Sequence, residues 1–283
     1  MSDTDNQPQD DGDGQSPAYN ARARNYPVRS ILFNIAYFGW TVIAVIIMVP
    51  ILFLPHSLYI KAIRFYFHST NVIEKHVLGL TWDLKGMEHV PDGPCIIAMK
   101  HQSMWETMKL VLMFPTMTVI LKRELMWIPF WGWFPARWGV IPVDRGGKSK
   151  AVASIVKGSR KMAAAGRPIV IFPQGTRVPP GEWKPYRIGV YRMYEDLQIP
   201  VVPVAMNAGW FWPRHSFLKW PGKATVEVLK PIQPGLDSIT FMDELERRTE
   251  EASDRLVMAV GGPPTTRPEK ASPPGKPAQR ESS

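Results

Sequence analysis

The sequence predicts an α/β domain with a mostly parallel central sheet flanked by helices, preceded by an N-terminal membrane-associated helical segment. Three observations carry that expectation. Between residues 79 and 260 short apolar runs alternate with helical patterns, the signature of strands joined by covering helices. Ile31 to Leu54, ILFNIAYFGWTVIAVIIMVPILFL, contains no ionisable residue, and roughly 20 apolar residues suffice for a helix to cross the hydrocarbon core. The composition, 45% hydrophobic with a single cysteine among 283 residues, supplies material for a large core and excludes an intrachain disulfide framework.

The elements follow in order. Residues 1–24, rich in Asp, Gln, Asn, Gly and Pro, lack the apolar surface to fold and read as a disordered acidic tail. Residues 25–78 form the membrane-anchoring helical segment. About thirty polar residues precede its apolar run, which fits a cleavable signal peptide badly and favours a retained anchor. Arg22, Arg24 and Arg29 lie before the run and Lys61 and Arg64 after it, so the basic flanks give no orientation. A single span and a re-entrant hairpin both fit. In the hairpin, Leu58 to Leu78 would be an interfacial amphipathic limb, with Lys61, Arg64 and His68 among its apolar residues.

Within the α/β domain, residues 79–260, the expected strands are Cys95–Met99, Thr118–Leu121, Gly139–Val143, Pro168–Phe172, Val201–Met206 and Thr225–Leu229. The expected helices are Met104–Met113, Lys148–Ala165, Gly189–Leu197 and Met242–Val260. Residues 261–283, GGPPTTRPEKASPPGKPAQRESS, read as a disordered Pro-rich tail. Five of the 25 acidic residues lie in the first 20 positions, so the rest of the chain carries 34 basic against 20 acidic residues. That excess attracts anions without choosing among nucleic acid, anionic membrane and phosphorylated small molecules. Nucleic acid ranks last and no such partner is expected, because the aromatics lie beside prolines and apolar runs instead of interleaving with Lys and Arg.

Several local matches fail on spacing. Gly147-Lys148-Ser149 resembles the end of a phosphate-binding loop, but Pro142 stands where its first glycine belongs. Asp11 to Gly14 resembles the start of a calcium loop, yet its twelfth position is Arg22. No His/Cys set has metal-ligand spacing, no serine elbow appears, and Cys95 lies in an apolar run, so no metal or covalent chemistry is expected.

The chemistry-bearing segment follows the Cys95–Met99 strand. His101 falls at a strand-to-helix turn, the carboxyl end of a strand where open α/β sheets bind ligands. Glu106, five residues later, can reach back to one imidazole nitrogen, fix the tautomer and stabilise the imidazolium. This spacing resembles the H-x-x-x-x-D motif of the 1-acylglycerol-3-phosphate acyltransferase family of glycerolipid acyltransferases. Three further blocks keep that family's order: Leu121-Lys122-Arg123-Glu124-Leu125 with Ile128-Pro129-Phe130-Trp131-Gly132, Phe172-Pro173-Gln174-Gly175-Thr176-Arg177, and Val201-Val202-Pro203-Val204-Ala205.

The resemblance, over roughly residues 80–230, implies acyl transfer from a thioester, acyl-CoA or acyl-carrier protein, to the sn-2 hydroxyl of 1-acylglycerol-3-phosphate, forming phosphatidate. It implies no cofactor beyond that co-substrate. His101 is then the general base and Glu106 its orienting carboxylate. Arg177 would bind the acceptor's phosphate bidentately, with Lys122 and Arg145 as further phosphate candidates. Gln174, Gly175 and Thr176 would position substrate, and Trp127, Phe130, Trp131, Val202 and Pro203 are candidates for acyl-chain or membrane contact. Two departures from the family pattern are Glu106 in place of aspartate and Gln174 in place of glutamate; either still accepts a hydrogen bond. The expected partners are membrane lipid, a lysophospholipid acceptor and the acyl donor, and the expected location is the cytoplasmic (inner) membrane with the active site facing the cytoplasm. The alternatives are another lysolipid acceptor, such as a lyso-ornithine lipid, and a non-catalytic module that binds anionic lipid.

Overall fold

The structure, a computed structural model, describes residues 27–143 and 148–267. Seven strands form one sheet: β1 (Leu80–Lys85), β2 (Ile96–Met99), β3 (Thr118–Lys122), β4 (Ile141–Val143), β5 (Ile169–Ile171), β6 (Val201–Met206) and β7 (Gly222–Val228). Their spatial order is β1-β7-β6-β2-β5-β3-β4. Every pairing is parallel except β6 with β7. The carboxyl ends of β2, β3, β4, β5 and β6 therefore share one edge of the sheet, and the site is built there.

The central strands are apolar without interruption because both faces are covered. Ile97, Met99, Val170, Val202 and Val204 point into one core. Their neighbours Ile96, Ala98, Ile169, Ile171 and Val201 point into the other. The first core lies under the helices α1 (Pro27–Met48), α2 (His56–Ile73) and α3 (Trp105–Met113), together with the short helices α4 (Trp133–Trp138) and α7 (Ala208–Phe211). The second lies under α5 (Lys148–Ala164), α6 (Gly189–Leu197) and α8 (Ser238–Met258).

Two departures from the sequence expectation have a plain local cause. β1 was not expected, because Thr81, Asp83 and Lys85 break its apolar pattern; as an edge strand it needs only one paired side, and Asp83 bonds Lys223 across the β1–β7 pair at 3.0 Å. Helix α8 starts at Ser238 instead of Met242, because Asp237 caps it, its Oδ1 accepting from the Ile239 and Thr240 amides.

Helices α1 and α2 run antiparallel. Trp40 Nε1 donates to Ser69 Oγ at 2.7 Å, and Thr41 bonds the Tyr66 hydroxyl at 3.0 Å. One stripe of α1, including Ser30, Phe33, Asn34 and Tyr37, faces the domain, at the spacing a helix gives to one side. The remainder is apolar yet uncovered, with Ile35 at 66% and Ile47 at 64% exposure. A core helix of a soluble protein would bury that face; Pro27–Phe53 is instead long and apolar enough to enter a bilayer. The hairpin is tied to the domain near the start of α1 and just past its end: Ser30 Oγ donates to the Lys219 carbonyl and accepts from the Lys219 amide, while Arg137 of α4 donates to the carbonyls of Ile51 and Leu54 in the turn after α1. The hairpin thus lies along the domain.

Helix α2 is fastened to α3 by a buried ion pair. Lys109 Nζ lies 2.7 Å from Glu74 Oε1 and also donates to Asn71 Oδ1, while Trp105 Nε1 donates to Glu74 Oε2 at 3.1 Å. Lys109→Met would leave the Glu74 carboxylate buried without its cation, and a destabilisation of about 3–5 kcal/mol is expected. Thermal unfolding in detergent measures it. The double variant Glu74→Gln with Lys109→Met should recover most of the loss; equal instability of the two variants would contradict this account.

Candidate active site

The last sheet bond of β2, from Lys100 N to Val204 O at 2.9 Å, leaves His101 just past the strand's carboxyl end. The chain then turns into α3, and the amides of the turn just before that helix need acceptors. Glu106 Oε1 fills that need, accepting from the amides of Gln102 at 2.7 Å and Ser103 at 2.8 Å. The same oxygen lies 2.8 Å from His101 Nδ1. A carboxylate only accepts, so Nδ1 carries the ring proton and Nε2 keeps its lone pair. Glu106 is fully buried and the His101 side chain is 13% exposed, so the pair is shielded while the ring still reaches solvent. The imidazole stacks on Phe172, with centroids 4.0 Å apart and planes 21° from parallel. Hydrogen bond and stack together leave the ring little freedom.

The segment after β5 folds across this turn. Gly175 N donates to Phe172 O at 2.9 Å, Val178 N to His101 O at 2.7 Å, and Arg187 N to Pro173 O at 2.9 Å. Gly175 has φ +68°, and a Cβ there would meet the Arg187 side chain at 2.7 Å, so the turn requires glycine. Gln174 Oε1 accepts from the His101 amide at 3.4 Å, a role that a glutamate would fill equally. The half-buried Thr176 makes no hydroxyl bond among the described residues. The Arg177 carbonyl accepts from Arg214 Nη1 at 3.0 Å, which carries the loop past the end of β2 toward the segment after β6. There Arg177 lines a cleft of about 320 Å³ with Met104, Trp212 and Lys219.

The other expected site residues are distributed differently. Lys122 ends β3 on the far side of β5, exposed and 3.2 Å from Glu124, a pairing worth little in water. Arg145 lies outside the described residues. Trp127, at 69% exposure, and Phe130 are exposed, with Trp131 half-buried. Val202 and Pro203 are both buried in β6, in register with Ile97 and Ala98 of β2, and so lie inside the sheet. Trp210, Phe211 and Trp212 likewise belong to the core.

The sequence did not reveal three supports. Phe172 stands in a recognised block, yet nothing marks it as the ring under His101. Lys100 bonds Glu250 of α8 at 2.5 Å, both buried, and Tyr186 donates to the same carboxylate at 2.9 Å, which anchors the residue before His101 to the opposite core. Lys219 reaches α1. Cys95 is buried, and burial pushes its thiol up to about 11, above the range in which a thiolate forms at neutral pH.

Comparison with known proteins gives a family and a fold. The family model described as Acyltransferase matches residues 82–207. The chain is 34% identical over 174 residues, 62% of its own length and 68% of the relative's, to a Pseudomonas aeruginosa protein named 1-acyl-sn-glycerol-3-phosphate acyltransferase. It is 28% identical over 239 residues, 82% of its length and 76% of the relative's, to a Saccharomyces cerevisiae protein of the same name. Among solved structures, the crystal structure of the 1-acyl-sn-glycerophosphate (LPA) acyltransferase PlsC from Thermotoga maritima matches with a TM-score of 0.66 and 18% identity. That match covers 81% of this chain and 97% of the other, and it shows a shared fold.

Proposed function

The chain belongs to the 1-acyl-sn-glycerol-3-phosphate acyltransferase family, and we propose that it moves a fatty acyl group from an acyl-CoA or acyl-carrier-protein thioester to the sn-2 hydroxyl of lysophosphatidate, yielding phosphatidate. Acyl transfer to lysophosphatidic acid is the activity that its family membership supports; the donor is our inference. The observation that carries the mechanism is the His101–Glu106 pair, which leaves Nε2 as a base at the mouth of the site.

Nε2 takes the proton of the acceptor hydroxyl as that oxygen attacks the thioester carbonyl. The new C–O bond forms, the C–S bond breaks, and the departing thiolate takes a proton back from the imidazolium. Glu106 stabilises that imidazolium. Direct transfer needs no acyl-enzyme, in keeping with the inert Cys95 thiol. No cofactor besides the thioester co-substrate enters the scheme. Arg177 holds the acceptor's phosphate, Gln174, Gly175 and Thr176 shape the loop that presents it, and the exposed cation of Lys122 adds positive potential at the same sheet edge.

The α1–α2 hairpin associates with the membrane through its uncovered apolar face. Because the domain holds it near the start of α1 and in the turn after α1, we favour a re-entrant hairpin lying in one leaflet over a single span, with Trp127, Phe130 and Trp131 at the interface. Soluble thioester donors imply the cytoplasmic face of the inner membrane.

The test is thiol release from a long-chain acyl-CoA by detergent-solubilised protein, with and without lysophosphatidate, with lipid products resolved by mass. Release that depends on the acceptor and yields phosphatidate is expected. Release that depends on a different lysolipid would reassign the acceptor, and failure with both CoA and carrier-protein donors would overturn the catalytic reading.

A further inference from the structure

The cleft lined by Arg177 contains a second cation that the mechanism does not use. It lies between α1, the start of α3 and residues 212–219, and Met104, three residues after His101, forms part of its wall. Lys219 is only 3% exposed. Its ammonium donates to Asn34 Oδ1 at 2.8 Å, Phe217 O at 3.3 Å and Ser216 O at 3.5 Å, and lies 5.1 Å from the centroid of the Trp212 ring. All of these partners are neutral, and among the described residues no carboxylate lies within ion-pair distance of it. Burial pushes this amine down to about 8. A buried cation without a counter-ion is costly, and an anion entering the cleft would supply one.

Part of the remaining wall, which also includes Asn34, Pro213, His215 and Ser216, describes that anion's carrier. Phe38, Met104, Trp212 and Phe217 are apolar, and Phe38 and Phe217 are exposed. Phe38 belongs to α1, so the apolar side of the cleft continues onto the helix that meets the membrane. Two cations and an apolar wall in one cleft fit an amphiphile with an anionic head. We propose that Lys219 is a second phosphate-binding residue of the acceptor site, exchanging its long 3.5 Å bond to Ser216 O for an oxygen of the phosphate that Arg177 also holds, in a lysophospholipid whose acyl chain leaves past Phe38 and Phe217. The inference rests on the acyltransferase reading. An acyl donor also carries phosphates, so the two sources of phosphate must be separated.

The experiment is steady-state kinetics of the full-length protein in detergent, varying lysophosphatidate and a long-chain acyl-CoA separately, for Lys219→Met and Lys219→Arg. The Met variant keeps the backbone bonds to Ser30 but loses the charge; its acceptor KM should rise roughly tenfold to a hundredfold, with a smaller change in kcat and in donor KM. Arg should recover most of the loss. An unchanged acceptor KM in a folded Met variant would overturn the proposal, as would a rise confined to the donor KM. If the Met variant does not fold, Asn34→Asp carries the test, since a carboxylate beside the ammonium supplies an internal counter-ion that competes with phosphate and should raise the acceptor KM several-fold; an unchanged value in the folded protein would equally overturn it. Absence of acyl transfer in the unaltered protein defeats the functional reading itself, an outcome distinct from these.

Discussion

His101→Ala is expected to lower acyl transfer by about 10²- to 10⁴-fold while leaving the protein folded and bound to liposomes. The loss follows from removing the group whose Nε2 accepts the hydroxyl proton, since the described site offers no other base hydrogen-bonded to Glu106. Folding should survive because the amides of Gln102 and Ser103 still occupy the Glu106 carboxylate, and the turn is held independently by the bond from Val178 N to His101 O, which involves only backbone. Liposome flotation and thermal unfolding check those two points beside the assay. The orienting role of Glu106 adds a gradation. Glu106→Gln keeps an acceptor but removes the charge that stabilises the imidazolium, whereas Glu106→Asp keeps the charge on a shorter arm, so Asp should retain more activity than Gln. Activity of the His101 variant equal to that of the unaltered protein would defeat the mechanism.

The His101–Glu106 pair was legible because it is local: five residues of a strand-to-helix turn bring donor and acceptor together, and a carboxylate in the first turn also satisfies free amides. The sheet was legible for a related reason, since strands buried on both faces must be apolar throughout, as Ile96–Met99 and Val201–Met206 are. The same apolar uniformity gives Val202 and Pro203 no distinguishing mark, because a strand inside a sheet and the wall of a lipid channel use the same residues. Supports built from long-range contact were not legible. Phe172 meets His101 across 71 positions, and Lys219 meets Asn34 across 185, and no periodicity encodes either pairing. β1 was missed because an edge strand tolerates charges that a central one does not.

Arg177→Ala is expected to reduce kcat/KM for lysophosphatidate by roughly tenfold to 150-fold, mostly through acceptor KM, with the donor KM little changed. A hydrogen bond to a charged group contributes about 1.5–3 kcal/mol, which sets that range. The side chain can be removed without dismantling the loop, because the contact that holds this residue is its own carbonyl, which accepts from Arg214, and Gly175 supplies the turn. The structure therefore separates anchor from scaffold, and the kinetic signature should separate likewise: His101 variants lose turnover and Arg177 variants lose acceptor affinity. Arg177→Lys should recover only part of the loss, since an ammonium replaces a planar fork by a point charge. The variant also tests the acceptor itself. If the true acceptor lacks a phosphate, the Arg177 variant should discriminate no more strongly against lysophosphatidate than against a lysolipid with another headgroup, and equal losses for the two would remove the phosphate from the site while leaving the His101 chemistry in place.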